Sequence, residues 1–146
     1  MRVFFLLAIL TGLAACGGDA SNSEEQIRAW LAAGEQAAED KDRGALMDMV
    51  SSSYTDVKGN DKQAIGAMLR YIFLRQNQVA LITRIESLDV YDGTAAEVTM
   101  TVGMAGSRSG QLGFSADAYR FVFELELDGN EWQLISARWG ALGESL

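Results

Sequence analysis

Hydrophobic positions along the chain fall into two regimes: from Ser23 to about Gln78 they recur every three or four residues, and from Val79 onward they alternate. Ser23 followed by Glu24, Glu25 and Gln26 has the form of a helix start, a capping side chain and then acids beside the positive end of the helix dipole. Ile27, Trp30, Leu31, Gly34, Ala37 and Ala38 then mark one helical face to about Asp40. After the break Lys41-Asp42-Arg43-Gly44, a shorter helix carries Leu46, Met47 and Val50 and ends in Ser51-Ser52-Ser53. Tyr54 to Val57 reads as a short extended piece. The turn Gly59-Asn60-Asp61 leads into a third helix, with Asn60 as cap and Gln63 completing a capping box. Ile65, Met68, Leu69, Ile72 and Phe73 form its apolar face, and the pattern predicts its end near Gln78.

Four strands follow. Val79 to Tyr91 alternates, with a slip between Ile85 and Leu88 that predicts a bulge, and Asp92-Gly93 is a hairpin turn signal. Ala96, Val98, Met100, Val102 and Met104 share one face of the second strand, with Glu97, Thr99 and Thr101 on the other. Beyond a Gly-rich loop, Tyr119, Phe121, Phe123, Leu125 and Leu127 alternate with polar residues. Asp128-Gly129-Asn130 turns the chain into Glu131 to Trp139, where the apolar phase slips between Leu134 and Ile135. Three helices and then an antiparallel meander predict an α+β domain with one sheet face under helix and the other, rich in Thr, Glu and Arg, in water.

The first 15 residues do not belong to that domain. Arg2 precedes the apolar run Val3 to Leu10, which is shorter than the roughly 20 residues a bilayer-spanning helix needs. Small residues then lead to Leu13-Ala14-Ala15-Cys16, which resembles the lipobox of bacterial lipoproteins. The resemblance implies that residues 1–15 are a signal peptide, that the Cys16 thiol is alkylated by diacylglycerol, and that two or three acyl chains give a stable membrane anchor. Gly17, where an Asp would favour inner-membrane retention in Gram-negative lipoproteins, points to the outer membrane with the domain facing the periplasm. Residues 16–23 read as the lipidated Cys and a flexible tether, and residues 24–146 as the domain.

Composition narrows the chemistry. The chain has 146 residues, 49% hydrophobic, enough for one core. With 12 basic against 20 acidic residues it lacks the cationic surface that nucleic acid requires. There is no His and only one Cys, so the commonest general base, an intrachain disulfide and Cys-rich zinc sites are all excluded. No cofactor or metal is expected, and oligomeric state stays open.

The element order, the stretch Tyr54 to Ile65 and the last strand Trp132 to Trp139 together resemble the nuclear transport factor 2-like superfamily, which includes SnoaL-like and ketosteroid isomerase-like proteins. The resemblance implies a cone in which a curved sheet wraps a long helix around a cavity, a shape shared by isomerases, cyclases and non-catalytic binding modules. A cystatin-like helix on a sheet fits the same pattern. Asp56, Asp61, Asp89 and Asp117 are the candidate acids and Tyr54, Tyr71, Tyr91 and Tyr119 the candidate donors; none matches a family catalytic motif, so no catalytic residue is assigned. Asp117, on the same strand face as Tyr119, is the least bland of these acids, and its place at the strand's start reads first as an edge position in solvent and only second as a buried base. Gly103 to Gly113 joins two strands and does not open a helix, which argues against phosphate cradling. Glu35, Glu39, Asp40 and Asp42 read as a solvated helix face. Trp30, Tyr119 and Trp139 are the candidate ligand contacts at a cavity mouth. The expected partners are the membrane, through Cys16, and either a small apolar ligand or an envelope protein; an isomerase, dehydratase or cyclase using a cavity Asp and a structural assembly module are the alternatives. For the anchor, Cys16→Ser is expected to abolish incorporation of labelled fatty acid and release the protein from membranes; a mutant that stays membrane-bound beside an unlabelled wild type would overturn it.

Overall fold

The computed structural model describes residues 18–108 and 114–146. The leader, Cys16 and residues 109–113 of the Gly-rich stretch therefore lie outside the described residues. The elements run α1 (Gly18–Glu39), α2 (Arg43–Asp48), α3 (Lys62–Arg75), β1 (Gln76–Tyr91), β2 (Ala95–Arg108), β3 (Phe114–Asp128) and β4 (Glu131–Ala141). The strands form one antiparallel sheet in the order β1-β2-β3-β4. The fold is α+β, with three N-terminal helices on a curved four-stranded sheet. Both expected slips are present, as register shifts between Ile85 and Ser87 and between Glu124 and Leu125. Such bulges bend a strand and increase its twist, which curls the sheet toward its apolar face. At the β1–β2 hairpin, Asp92 (φ 50°) and Gly93 (φ 70°) both take left-handed conformations, as a tight primed turn requires.

Inside the curve, Ile27 of α1 meets Ala96, Val98, Leu125 and Trp132, and Ile27, Val98 and Leu125 are fully enclosed. Each such side chain contributes about 1.5–3 kcal/mol by leaving water. The Trp132 indole donates to the Gln26 side-chain oxygen (3.2 Å), fixing the near end of α1 to β4. A second cluster of Val50, Tyr54 and Ala137 joins the α2–α3 connection to the sheet.

Several boundaries differ from expectation. Helix α1 starts at Gly18 and so takes in residues 18–23 of the stretch read as tether. Ser23 is buried there, one turn before Ile27 on the packed face, so tertiary packing overrides the weak helix preference of Gly, Asp, Ser and Asn. Asp61, not Asn60, caps α3 by accepting the Ala64 N–H (2.8 Å). That helix ends at Arg75 and runs straight into β1, and the Lys41 ammonium holds the junction by donating to the carbonyls of Gln76 and Asn77 (3.1 and 3.2 Å). Much of the Gly-rich stretch is strand, since β2 continues to Arg108.

Neither sheet edge is left bare. Along β4, Ser51 N–H donates to the Leu134 carbonyl and Leu134 N–H to that of Met49 (both 2.9 Å), while Thr55 N–H reaches Ile135 (3.1 Å). Along β1, Glu39 accepts the Leu81 N–H (2.8 Å) and Glu35 the Thr83 hydroxyl (2.7 Å). These two acids do not belong to a solvated face; they cover an edge that would otherwise recruit another strand. On the convex side Glu86 accepts from Thr101 and Arg120, and Arg138 pairs with Glu97 (3.3 Å). Leu125→Ala is expected to lower unfolding free energy by about 2–5 kcal/mol, read as a fall in urea midpoint with the slope unchanged.

Candidate functional site

Alternation places Val79 and Leu81 of β1, Met104 of β2 and Asp117 and Tyr119 of β3 on the concave face at the end away from the Ile27 core. The last turn of α3 crosses above them. Between these elements lies a cavity of about 350 Å³. Its walls include the apolar side chains Ile72, Val79, Met104 and Ala105. Polar groups converge from Tyr71, Arg75, Gln76, Asp117 and Tyr119. Arg75 donates to the Tyr71 hydroxyl and its guanidinium lies over the Tyr71 ring (5.2 Å to the centroid), so the two move as one wall. The Gln76 side-chain oxygen is buried and has no hydrogen-bond partner among the described residues. A buried acceptor left in that state costs about 1–3 kcal/mol.

The three residues expected at a cavity mouth are spread along the cone. Tyr119 lines the cavity. Trp30 packs edge-on against Phe123 (6.5 Å between centroids) beside the Ile27 core, its indole N–H buried and without a partner among the described residues. Trp139 stacks with Phe121 (6.4 Å), packs against the cluster of Val50, Tyr54 and Ala137, and lies under the Lys58 ammonium (4.6 Å). Phe121 also meets Phe123 and Tyr119 (5.5 and 6.4 Å), so an aromatic run connects the core to the cavity wall. Arg75 and Gln76 had no signal in the sequence, because their position depends on α3 passing directly into β1.

The candidate acids also separate. Asp117 stands on the cavity wall but is exposed. Asp61 is the cap of α3, and Asp89 is exposed opposite Glu97. Asp56 is buried, and its carboxylate organises the loop around it: Oδ1 accepts the N–H groups of Lys58 and Asn60 (both 2.9 Å), and Oδ2 accepts from the Asn60 amide (2.8 Å) and the Tyr54 hydroxyl (3.5 Å). Burial raises its pKa, but the hydrogen bonds from Asn60, Lys58 and Tyr54 outweigh that and hold it below the ordinary Asp value. Burial, the Asp56 charge and their hydrogen bond push the Tyr54 hydroxyl well above its usual value. Asp56 thus stays charged with its lone pairs occupied and Tyr54 stays protonated, an arrangement suited to holding a loop and not to moving protons. Among the described residues no group of three or more His, Cys, Asp or Glu side chains is arranged to hold a metal, and no helix is long and apolar enough to cross a membrane.

No protein family and no curated relative matches the sequence. Solved structures do match the fold. A candidate scytalone dehydratase from Novosphingobium aromaticivorans superposes with a TM-score of 0.77 at 10% identity, over 84% of this chain and 86% of that one. A hexachlorocyclohexane dehydrochlorinase of type 3 from Novosphingobium barchaimii gives 0.72 at 11%, over 85% and 89%. A nuclear transport factor 2-like superfamily protein from Salmonella enterica gives 0.71 at 11%, over 87% and 99%. The fold is therefore that of the nuclear transport factor 2-like proteins, and at these identities the likeness extends to the fold alone.

The Asp56 clasp has a pH signature. Because its folded pKa lies below the unfolded one, its stabilisation is present above the ordinary value near 3.8 and is lost as pH falls through the folded value. Asp56→Asn is expected to lose about 1–3 kcal/mol at pH 7 by chemical denaturation, with the gap to wild type closing below about pH 4.

Proposed function

We propose that the domain is a non-catalytic binding module, held to the cell envelope by a lipid on Cys16, which takes a small and largely apolar molecule into the cavity at the wide end of its cone. The observation that carries this reading is the composition of that cavity: the apolar side chains Ile72, Val79, Met104 and Ala105 together with the Tyr71, Arg75 and Tyr119 donors. Its volume of about 350 Å³ falls at the small end of the range for ligand pockets, about 300–1,000 Å³. An apolar body would displace water from the apolar lining, and a carbonyl or hydroxyl on it would be oriented by the tyrosines and Arg75. A donor on the ligand would also satisfy the Gln76 side-chain oxygen, which has no partner among the described residues.

Asp117 beside Tyr119 supports a second reading, in which the same cavity removes a proton from its ligand. Two of the structural neighbours bear the names of a dehydratase and a dehydrochlorinase. The exposure of Asp117 weighs against it, since a general base gains strength from burial.

Native mass spectrometry of the full chain, extracted from its host membrane in mild detergent, tests the proposal. A small-molecule mass should be retained by wild type and by Asp117→Asn, and lost when Met104→Trp fills the cavity without lowering the thermal midpoint. A bare wild-type chain would count against ligand binding, whereas a retained mass that is converted by wild type and not by Asp117→Asn would establish catalysis.

A further inference from the structure

We infer a second binding site, sharing no lining residue with the cone's cavity, in which Arg43 and Arg70 hold a small soluble oxyanion, a phosphate- or carboxylate-bearing molecule, in the cleft between α2 and α3. The starting observation is one of charge pairing. The chain carries a net charge of −8, so its cations have no shortage of partners. Arg28 pairs with Glu24, Arg120 with Glu86 and Arg138 with Glu97. Lys41 and Lys62 donate to backbone carbonyls, Arg75 to Tyr71, and Lys58 lies on Trp139. Arg84 lies within the field of Glu86. Among the cations with described side chains, Arg43, Arg70 and Arg84 have no hydrogen bond, ion pair or ring contact, and of these only Arg84 lies beside an acid. Arg43 and Arg70 line the same cleft, of about 580 Å³.

The helices are shaped to make that cleft. Gln63, Gly66, Ala67 and Arg70 share one face of α3, and the small pair in the middle lets α2 come close. Gly66 is buried, and a Cβ there would stand 3.3 Å from the Met47 sulfur and 3.5 Å from a terminal nitrogen of Arg43. The glycine therefore lets the Met47 side chain pack closely, with the Arg43 guanidinium beside it on the cleft wall and Arg70 one turn further along α3. The cleft reaches the start of this 14-residue helix, whose first-turn N–H groups add positive potential. The Lys62 ammonium adds more while donating to the Val50 carbonyl (2.7 Å). Asp61 also lines the cleft, and its carboxylate, which caps α3 by accepting the Ala64 N–H, offsets part of that potential, leaving the two guanidiniums as the main attraction.

Two guanidiniums facing one cleft repel each other, and an oxyanion between them removes that repulsion while accepting two forked pairs of N–H bonds. Lysine offers the charge without the fork. The acidity of the chain disfavours an anionic bilayer as the source, because the rest of the surface would be repelled from it. Both arginines are exposed, so water and salt screen the site and its occupant should exchange rapidly.

Calorimetric titration of the full chain with inorganic phosphate, at fixed ionic strength in neutral detergent, tests this. Wild type, Arg84→Gln and the cavity-filling Met104→Trp should bind one phosphate saturably. Arg70→Lys should bind several-fold more weakly, and the Arg43→Gln, Arg70→Gln double variant at least ten-fold more weakly with an unchanged thermal midpoint. Absence of saturation, or equal affinity in the double variant, would overturn the site. Loss of phosphate binding in nanodiscs containing phosphatidylglycerol, against retention in phosphatidylcholine discs, would give the cleft to lipid headgroups and overturn the soluble source.

Discussion

Ile27 has no contact with water, and the side chains around it come from α1, β2, β3 and β4. A curved sheet has an apolar hollow that its own strands cannot fill, and α1 occupies it by placing one residue at the point where Val98, Leu125 and Trp132 converge. The seat of α1 then determines much else. One turn back, Ser23 is drawn into the packed face; further along, Glu35 and Glu39 come level with the free edge of β1 and close it. Lys41, just past the helix end, holds the point where α3 becomes β1 and so helps to position the cavity wall.

The cone has a dry end and an open end, and the aromatic run from Trp30 through Phe123 and Phe121 to Tyr119 grades between them. At the dry end packing is complete and stability is concentrated. At the open end Tyr71, Arg75 and Gln76 meet strand residues without closing the space between them. The Asp56 clasp lies on a separate flank. It folds residues 54–60 into a compact loop, from which Lys58 reaches over Trp139 while the neighbouring Val50 and Thr55 join the edge of β4.

Much of the sheet was legible in the chain because one face is buried. Val98 to Met104 alternates without error, and two of the three register shifts show as a lost phase, at Ile85 to Leu88 and again at Leu134 to Ile135, while the one between Gln76 and Gln78 falls where the helical pattern still ran. The helix ends were less legible. Both capping sites near residue 60 carry suitable side chains, and only the prior engagement of Asn60 with Asp56 leaves the cap to Asp61. The acids of α1 had the spacing of a surface stripe; their role depends on an edge strand more than 40 residues later in the chain. Alternation put Tyr119 on the concave face of β3 but at no particular depth along it. Trp30 and Trp139 could not be separated from it, since depth along a cone has no periodic signature. The Arg43–Arg70 cleft left no trace either, because it exists only where two helices cross.

The length of α1 has a consequence for where a ligand can come from. Gln26 is tied to Trp132 at the dry end and Glu39 to Leu81 at the open one, and between them the helix advances roughly 20 Å. With the acyl chains proposed on Cys16, two residues ahead of Gly18, the dry end would rest toward the bilayer and the mouth would stand off from it like a cup on a short stem. A molecule dissolved in the same membrane would have to leave it altogether before entering. If both proposals hold, a ligand would reach the mouth through water or from another protein, and the anchor would serve to aim the opening.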